Sequence, residues 1–166
     1  AGAGTQTSAL AFGGTTGSLS SATESWNGTN WTSVNSMTTA RSILGGVGAS
    51  STSAIAFGGN EPPSVTRTAK TEVWNGTNWT EVNDLNTSRG DSGGAGKTSS
   101  NALAFGGYGG GPVGTVAFTE SWNGSIWTEV NDLNTRRTGS TGVGTNSSAL
   151  AIGGNAQPPR MANTEE

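Results

Sequence analysis

The sequence Trp-Asn-Gly-Thr-Asn-Trp at residues 26–31 returns at residues 74–79, and a close variant, Trp-Asn-Gly-Ser-Ile-Trp, stands at residues 122–127. The interval is 48 residues both times, and the three copies contain all 6 tryptophans of the chain. An Asn-Gly step between short runs rich in Thr, Trp and Val is a strong hairpin signal, because Gly adopts positive φ freely and Asn does so more readily than most residues. The sequence therefore predicts a tandem array with one tryptophan-flanked hairpin in each repeat.

A second element occurs four times: one copy precedes each of the three hairpins, and the fourth follows the last hairpin. It begins with Gly-x-Gly, continues with Ala alternating with Leu or Ile, and ends in Phe-Gly-Gly or Ile-Gly-Gly, at 2–14, 46–59, 94–107 and 142–154. Each copy predicts two short strands. Because glycine normally weakens a strand, its recurrence in the first of them suggests that backbones approach closely around a central axis.

A segment of variable length follows each Gly-Gly, and a Thr-Glu pair then opens the strand that leads to the next tryptophan. Four short strands in a unit of about 47 residues, without helical periodicity, are typical of a propeller blade. We therefore expect an all-β propeller of four-stranded antiparallel blades. The repeat units are expected at about 1–44, 45–92 and 93–140, with an incomplete unit at 141–166, which makes about three and a half blades.

These elements resemble the kelch repeat of the galactose oxidase/kelch β-propeller superfamily. Phe12-Gly13-Gly14 and its counterparts are similar to the kelch Gly-Gly element, and the second tryptophan of each hairpin is similar to the kelch Trp. The first tryptophan stands where the family usually has Tyr. The likeness is therefore to a divergent Trp-Asn-Gly-Thr-x-Trp branch, similar to repeat proteins of marine microbes and phages. It implies a propeller fold and little about function, since kelch propellers include enzymes, adaptors and structural proteins.

The last repeat stops before a fourth hairpin. Propellers typically have four to eight blades, and open sheet edges readily pair with another chain. Two interpretations follow: further blades belong to a longer polypeptide, or several copies complete the structure together. We favour the longer polypeptide. Self-association or pairing with further blades is the expected partnership in either case.

Composition excludes several kinds of chemistry. The chain of 166 residues has a net charge of −3 and contains no Cys and no His. Disulfides, zinc–thiolate sites and cysteine nucleophiles are therefore impossible, and the commonest general base is missing. The copper chemistry of kelch-fold oxidases needs His ligands and a cysteine-linked Tyr, so the resemblance does not extend to it. We expect a non-catalytic protein with no cofactor, no metal, no nucleic-acid partner and no membrane insertion.

Two charged positions recur in all three complete repeats, Glu at 24, 72 and 120 and Arg at 41, 89 and 137. They form either a ring of functional carboxylates or, as we expect, a structural feature that every blade needs. That feature would be a Glu–Arg pair within each blade or hydrogen bonds that tie adjacent strands. The tryptophans offer a similar choice between a stacking surface for a ligand and core packing between blades, and we expect core packing. The Arg-Gly-Asp tripeptide at 89–91 is interpreted as a coincidence of the repeat.

The segments after each Gly-Gly differ between repeats, and loops on a rigid scaffold commonly carry recognition. In a propeller these segments are expected to lie together on one rim. The candidate binding residues are Glu61, Arg67, Lys70, Tyr108, Phe118 and Arg160.

The sequence favours a non-catalytic module for surface display or adhesion, such as a phage tail-fibre, capsid-decorating or extracellular structural protein. Its partner would be a protein or glycan surface, and its location extracellular or on a virion. Two alternatives stay open. One is an intracellular kelch-type adaptor, and the other is the propeller part of a carbohydrate-active enzyme whose catalytic residues lie elsewhere.

Overall fold

The computed structural model of the chain describes residues 1–63, 66–109, 114–156 and 163–166. These residues form short strands joined by turns, and no helix occurs among them. The strands build four antiparallel sheets of three or four strands, which are the blades, and two small two-stranded sheets. The prediction of an all-β chain is confirmed.

The strands are numbered along the chain. Blade 1 contains β1 (Gly2–Thr5), β2 (Ser8–Phe12), β3 (Thr23–Trp26) and β4 (Trp31–Val34). Blade 2 contains β5 (Gly45–Ser50), β6 (Ser53–Phe57), β9 (Thr71–Trp74) and β10 (Trp79–Val82). Blade 3 contains β12 (Gly93–Thr98), β13 (Asn101–Phe105), β15 (Thr119–Trp122) and β16 (Trp127–Val130). Blade 4 contains β17 (Thr141–Thr145), β18 (Ser148–Ile152) and β19 (Thr164–Glu165). The small sheets pair β7 (Asn60–Glu61) with β8 (Thr66–Arg67), and β11 (Arg89–Gly90) with β14 (Tyr108–Gly109).

The outer hairpin of each complete blade closes on its two tryptophans. In blade 2, Trp74 lies opposite Trp79, and their ring centroids are 5.5 Å apart. Gly76 has a φ of 96°, as expected. Asn75 is not among the residues with positive φ. Instead, its Oδ1 accepts hydrogen bonds of 2.9 Å from the N–H groups two and three positions later. Asn is therefore suited to this turn by its side-chain acceptor, not by its backbone conformation.

Glycine in the first strand of a blade allows a phenylalanine of the preceding blade to approach. A Cβ atom added at Gly94 would lie 2.8 Å from Cζ of Phe57, and one added at Gly142 would lie 2.5 Å from Cζ of Phe105. Both distances are too short for van der Waals contact, so a side chain there would displace the ring. A Cβ atom at Gly142 would also lie 2.3 Å from the carbonyl oxygen of Gly94, so the close approach of backbones predicted from Gly-x-Gly occurs there.

The blades follow one another around a common axis, which makes the fold a β-propeller. β1 packs beside β5, β5 beside β12, and β12 beside β17, and together these inner strands line a central cavity of about 370 Å³. Among the described residues, no comparable packing joins β17 to β1. Blades 1 and 4 therefore each present an uncovered face, on which Trp31 and Val143 are 49% and 51% exposed.

Candidate functional site

The recurring Arg and Glu residues form buried ion pairs. The guanidinium of Arg41 lies 2.9 Å from the carboxylate of Glu72, and both side chains are fully buried. Arg41 also donates hydrogen bonds to the carbonyl oxygens of Gly58, at 2.9 Å, and Lys70, at 2.6 Å. The second carboxylate oxygen of Glu72 accepts a hydrogen bond of 2.7 Å from the N–H of Thr38. These contacts hold the segment that follows blade 1 against blade 2.

The same pairing recurs between Arg89 and Glu120, which are 2.8 Å apart, and between Arg137 and Glu165. Each Arg pairs with the Glu of the next repeat, so the expected pair within one repeat is wrong. The reason is position: the Arg lies in the connection that leads into the following blade and reaches forward to that blade's third strand. Glu24, at the same repeat position in blade 1, is exposed.

Burial shapes the electrostatics of these pairs. Desolvation lowers the pKa of the Arg41 guanidinium, and the nearby carboxylate of Glu72 opposes that effect. Desolvation likewise lowers the pKa of Arg89, and Glu120 opposes it. A buried charge is tolerated when an opposite charge and hydrogen bonds accompany it, as Glu72 and two carbonyl oxygens do for Arg41. The arrangement supports a structural role for these carboxylates rather than a ring of functional groups.

Four of the six tryptophans are buried, and the second of each buried pair lies between blades. Trp79 of blade 2 packs on Phe12 of blade 1 with ring centroids 4.9 Å apart, and its Nε1 donates a hydrogen bond of 3.0 Å to Oγ1 of Thr23. Trp127 makes the same two kinds of contact one blade further along. These rings belong to the core, as predicted. Trp31 departs from that prediction, because among the described residues no blade covers its face.

The Arg-Gly-Asp sequence at 89–91 does not present its side chains as an exposed recognition motif. Arg89 is fully buried in its ion pair with Glu120. Asp91 has a φ of 58°, and its N–H donates a hydrogen bond of 2.7 Å to the carbonyl of Ile43. The tripeptide follows from the position of the Arg in the repeat.

The variable segments of blades 2 and 3 meet on one rim of the propeller. The guanidinium carbon of Arg67, in β8, lies 5.3 Å from the ring centroid of Tyr108, in β14. Arg67 also donates a hydrogen bond to the side chain of Asn60. The short ladder between β11 and β14 places Tyr108 opposite Gly90 and leaves its side chain exposed. A cation–π contact therefore bridges the variable segments of two blades.

A second charged contact lies on the same segment of blade 2. Lys70 Nζ is 3.1 Å from Oε2 of Glu61, and both side chains remain partly exposed. Surface ion pairs of this kind contribute about 0–1 kcal/mol to stability, so their charges are accessible to a ligand at little cost to the fold. We call Glu61, Arg67, Lys70 and Tyr108 the loop rim.

Sequence reasoning missed Ile43, which lies beside the loop rim. A Cβ atom added at Gly90 would be 3.0 Å from Cδ1 of Ile43 and 3.3 Å from Cδ of Arg67. Ile43 is exposed and has a φ of 45°, a conformation that β-branched residues rarely adopt. Its counterparts Asp91 and Gly139, at the same repeat position, have φ of 58° and 61°. The glycine at 139 is the sequence signal that could have indicated this strained and exposed position.

The two remaining candidate binding residues, Phe118 and Arg160, add little to the description of the loop rim. Phe118 occupies in blade 3 the repeat position that Lys70 has in blade 2, and it is half-buried. Its carbonyl accepts a hydrogen bond of 3.0 Å from the N–H of Gly106, which is a structural contact. Arg160 lies outside the described residues.

Within the part of the chain that the structure describes, no group of three or more acidic side chains is placed to hold a metal ion. A search of the same residues found no helix with the length and apolar character required to cross a membrane.

A scan of this chain against protein-family models gave no match, and a search of curated proteins found no matching relative.

Proposed function

We propose that this chain is a non-catalytic binding module, a kelch-like β-propeller that recognises a protein or glycan surface through the loop rim. The contact between Arg67 and Tyr108 carries the proposal, because it brings non-repeating residues of two blades onto one exposed surface. Short antiparallel pairs hold both residues, β8 with β7 and β14 with β11, and recognition surfaces are commonly built from variable loops on a rigid scaffold. Membership in the kelch superfamily is part of the proposal and is supported by the Phe-Gly-Gly and Trp positions.

The loop rim suits a polar partner rich in hydrogen-bonding groups. Tyr108 offers an aromatic surface and a hydroxyl, and Arg67 offers several N–H donors in a fixed plane. The Glu61–Lys70 pair adds charges of both signs next to them. Sugar hydroxyls and protein surfaces of mixed charge both match this chemistry, and Tyr and Arg are enriched among residues that dominate binding energy.

A non-catalytic role is supported by the way the chain uses its charges. The Arg–Glu pairs that recur through the repeats are enclosed within the fold. The sequence has no His and no Cys to serve as general base or nucleophile. We further propose an extracellular or virion-surface location, in a display or adhesion role such as a phage tail fibre or capsid decoration. Small polar residues and a chain without thiols support that location.

An array of immobilised glycans and surface proteins tests the proposal. The wild-type chain should bind a subset of the array, and Tyr108→Ala and Arg67→Ala should each reduce that binding at least about tenfold, as expected for truncated hot-spot residues. Ile126→Ala is the matched control, because Ile126 is an exposed apolar residue in the outer hairpin of blade 3. Equal loss in all three variants, or no loss in any of them, would contradict a binding role for the loop rim.

A further inference from the structure

A short backbone ladder recurs beside blades 2, 3 and 4, and its residues differ in blade 3. The paired residues are Ser42 with Asn60, Gly90 with Tyr108, and Thr138 with Asn155. A hydroxyl residue therefore faces an asparagine at two of these ladders, whereas glycine faces tyrosine at the third. The adjoining strand differs as well, because Arg67 lies opposite Asn60 in blade 2 and Thr115 lies opposite Tyr108 in blade 3. Arg67, Gly90 and Tyr108 thus differ from their counterparts in the other repeats.

These three residues meet at one point of the loop rim. The guanidinium carbon of Arg67 lies 5.3 Å from the ring centroid of Tyr108. A Cβ atom added at Gly90 would lie 3.3 Å from Cδ of Arg67, which is tighter than ordinary side-chain packing. Glycine at position 90 therefore leaves the room in which Arg67 reaches Tyr108. Packing of the blades does not require this combination, since the same ladder forms elsewhere with Ser42 or Thr138 in place of the glycine.

Asn60 holds the head group of Arg67 in place. The backbone of Asn60 forms two hydrogen bonds with Ser42, of 2.8 and 3.1 Å, and the residue is buried. Its Oδ1 accepts a hydrogen bond from Nη1 of Arg67. The guanidinium is therefore held by an amide oxygen and by the ring of Tyr108 before any ligand arrives, which reduces the conformational entropy that binding would cost.

No carboxylate of the chain neutralises Arg67. All 11 Asp and Glu residues lie within the described ranges, and none of them forms an ion pair with this guanidinium. Each of the three recurring arginines, by contrast, has a Glu partner. Glu61 belongs to the same small sheet, but it pairs with Lys70 and follows Asn60 in the strand, so its side chain points to the opposite face. Arg67 is therefore a positioned and uncompensated positive charge, and its side chain is partly exposed.

We infer that the ligand of the loop rim is an acidic glycan, and that Arg67 binds the carboxylate of one of its sugar residues. The inference rests on the proposed function of the loop rim and specifies its ligand. A guanidinium presents its N–H groups in a plane that matches the two oxygens of a carboxylate. The exposed ring of Tyr108 lies beside it and packs on the apolar face of the same sugar.

The charge and the extent of the site favour an acidic glycan over other anionic partners. The chain has a net charge of −3 and Glu61 is part of the rim, so a dense polyanion such as a nucleic acid would be repelled. A stable protein partner typically contacts about 20–30 residues on each side. The residues that differ from their counterparts are instead a few side chains gathered at one point, which suits one or two sugar residues.

Matched acid and ester probes test the inference. The probes are fluorescein-labelled oligosaccharides of glucuronic, galacturonic, mannuronic and sialic acid, each compared with its carboxyl methyl ester, which keeps the ring and the hydroxyls but removes the charge. Fluorescence anisotropy should show saturable binding of at least one acid. Its ester should bind at least about tenfold more weakly, as expected for loss of a hydrogen-bonded charge pair. Absence of binding by every acid, or equal affinity of acid and ester, would overturn the inference.

Variants of the chain locate the carboxylate. Arg67→Gln should weaken binding of the acid at least about tenfold and abolish the preference for acid over ester. Arg67→Lys keeps the charge without the planar fork, so part of the preference should remain. Lys97→Gln is the matched control, because Lys97 is an exposed cation at the other end of β12 from Gly93, and affinity for the acid should not change. A preference for the acid that survives Arg67→Gln, or that falls equally in Lys97→Gln, would contradict the inference.

Failure of the inference can be distinguished from failure of the proposed function. A neutral glycan whose binding is lost in Tyr108→Ala, without binding of any acid probe, would leave the loop rim as a binding surface and show that the inference is wrong. A labelled peptide of alternating Gly and Glu serves as the protein-like probe. If this peptide bound in an Arg67-dependent way and the acid oligosaccharides did not, the ligand would be an acidic protein segment and the inference would again be wrong.

Discussion

The junction between blades 2 and 3 and the loop rim are built on opposite principles. At the junction, the recurring Arg, Glu and second Trp of the repeat are enclosed: Arg89 pairs with Glu120, and Trp127 covers Phe57. On the loop rim, the residues differ from repeat to repeat and remain at least partly exposed. The comparison shows that the recurring Arg, Glu and Trp residues are those that each blade requires for packing against its neighbour. A binding function is therefore better sought among residues that do not recur.

The largest expected effect comes from breaking one of the buried ion pairs. Glu120→Gln leaves the guanidinium of Arg89 buried without a counter-charge and should lower the free energy of unfolding by about 3–5 kcal/mol. Glu24→Gln changes the same repeat position where the side chain is exposed, and its unfolding midpoint should match that of the wild type. Urea unfolding followed by tryptophan fluorescence measures both. Similar losses in the two variants would show that the pair at the junction has no special role.

Removal of a junction tryptophan should have a comparable or slightly smaller effect. Trp127→Ala opens a cavity against Phe57 and leaves Thr71 without its donor, so we expect a loss of about 3–5 kcal/mol. Trp31→Ala removes the same residue type where half of the side chain is exposed, and a loss below about 1 kcal/mol is expected. Thermal unfolding by circular dichroism distinguishes the two. If Trp31→Ala were as destabilising as Trp127→Ala, its face would have to be covered in solution.

The smallest effect is expected on the loop rim. Tyr108→Ala removes an exposed ring and its cation–π contact with Arg67, which is worth about 0.5–1 kcal/mol at an exposed site. The unfolding midpoint should therefore change little, whereas ligand binding should fall. Differential scanning calorimetry beside the binding array gives both quantities. A large fall in the melting temperature would show that the rim is part of the structural framework.

Much of the fold could be predicted from the sequence because the repeat is strict. The interval between Trp26 and Trp74, the paired strands before each Gly-Gly and the crowding implied by Gly-x-Gly all indicate blades that surround an axis. The structure confirms a β-propeller in which blades 1 to 3 have four antiparallel strands and blade 4 has three among the described residues. The partner of each Arg could not be predicted, because sequence spacing does not reveal whether Arg41 folds back to Glu24 or reaches forward to Glu72.

The candidate binding site was harder to predict, because it too depends on contacts between separate parts of the chain. Variation between repeats indicated Arg67 and Tyr108, but not that the two side chains would stack, since that contact depends on the relative positions of two loops. Ile43 was missed because positive φ at a β-branched residue contradicts local preference and is visible only in three dimensions.

Amide hydrogen exchange tests most directly the claim that the junctions between blades hold this fold together. Protection should follow the completeness of each junction: strands β6 and β13 should exchange slowly and together, whereas β18 should exchange at least about 100-fold faster, since its edge is only partly paired. The loop rim should exchange fastest. Equal protection of β18 and β13 would contradict the account, because stability would then not depend on the buried tryptophan that the junction of blade 4 lacks among the described residues.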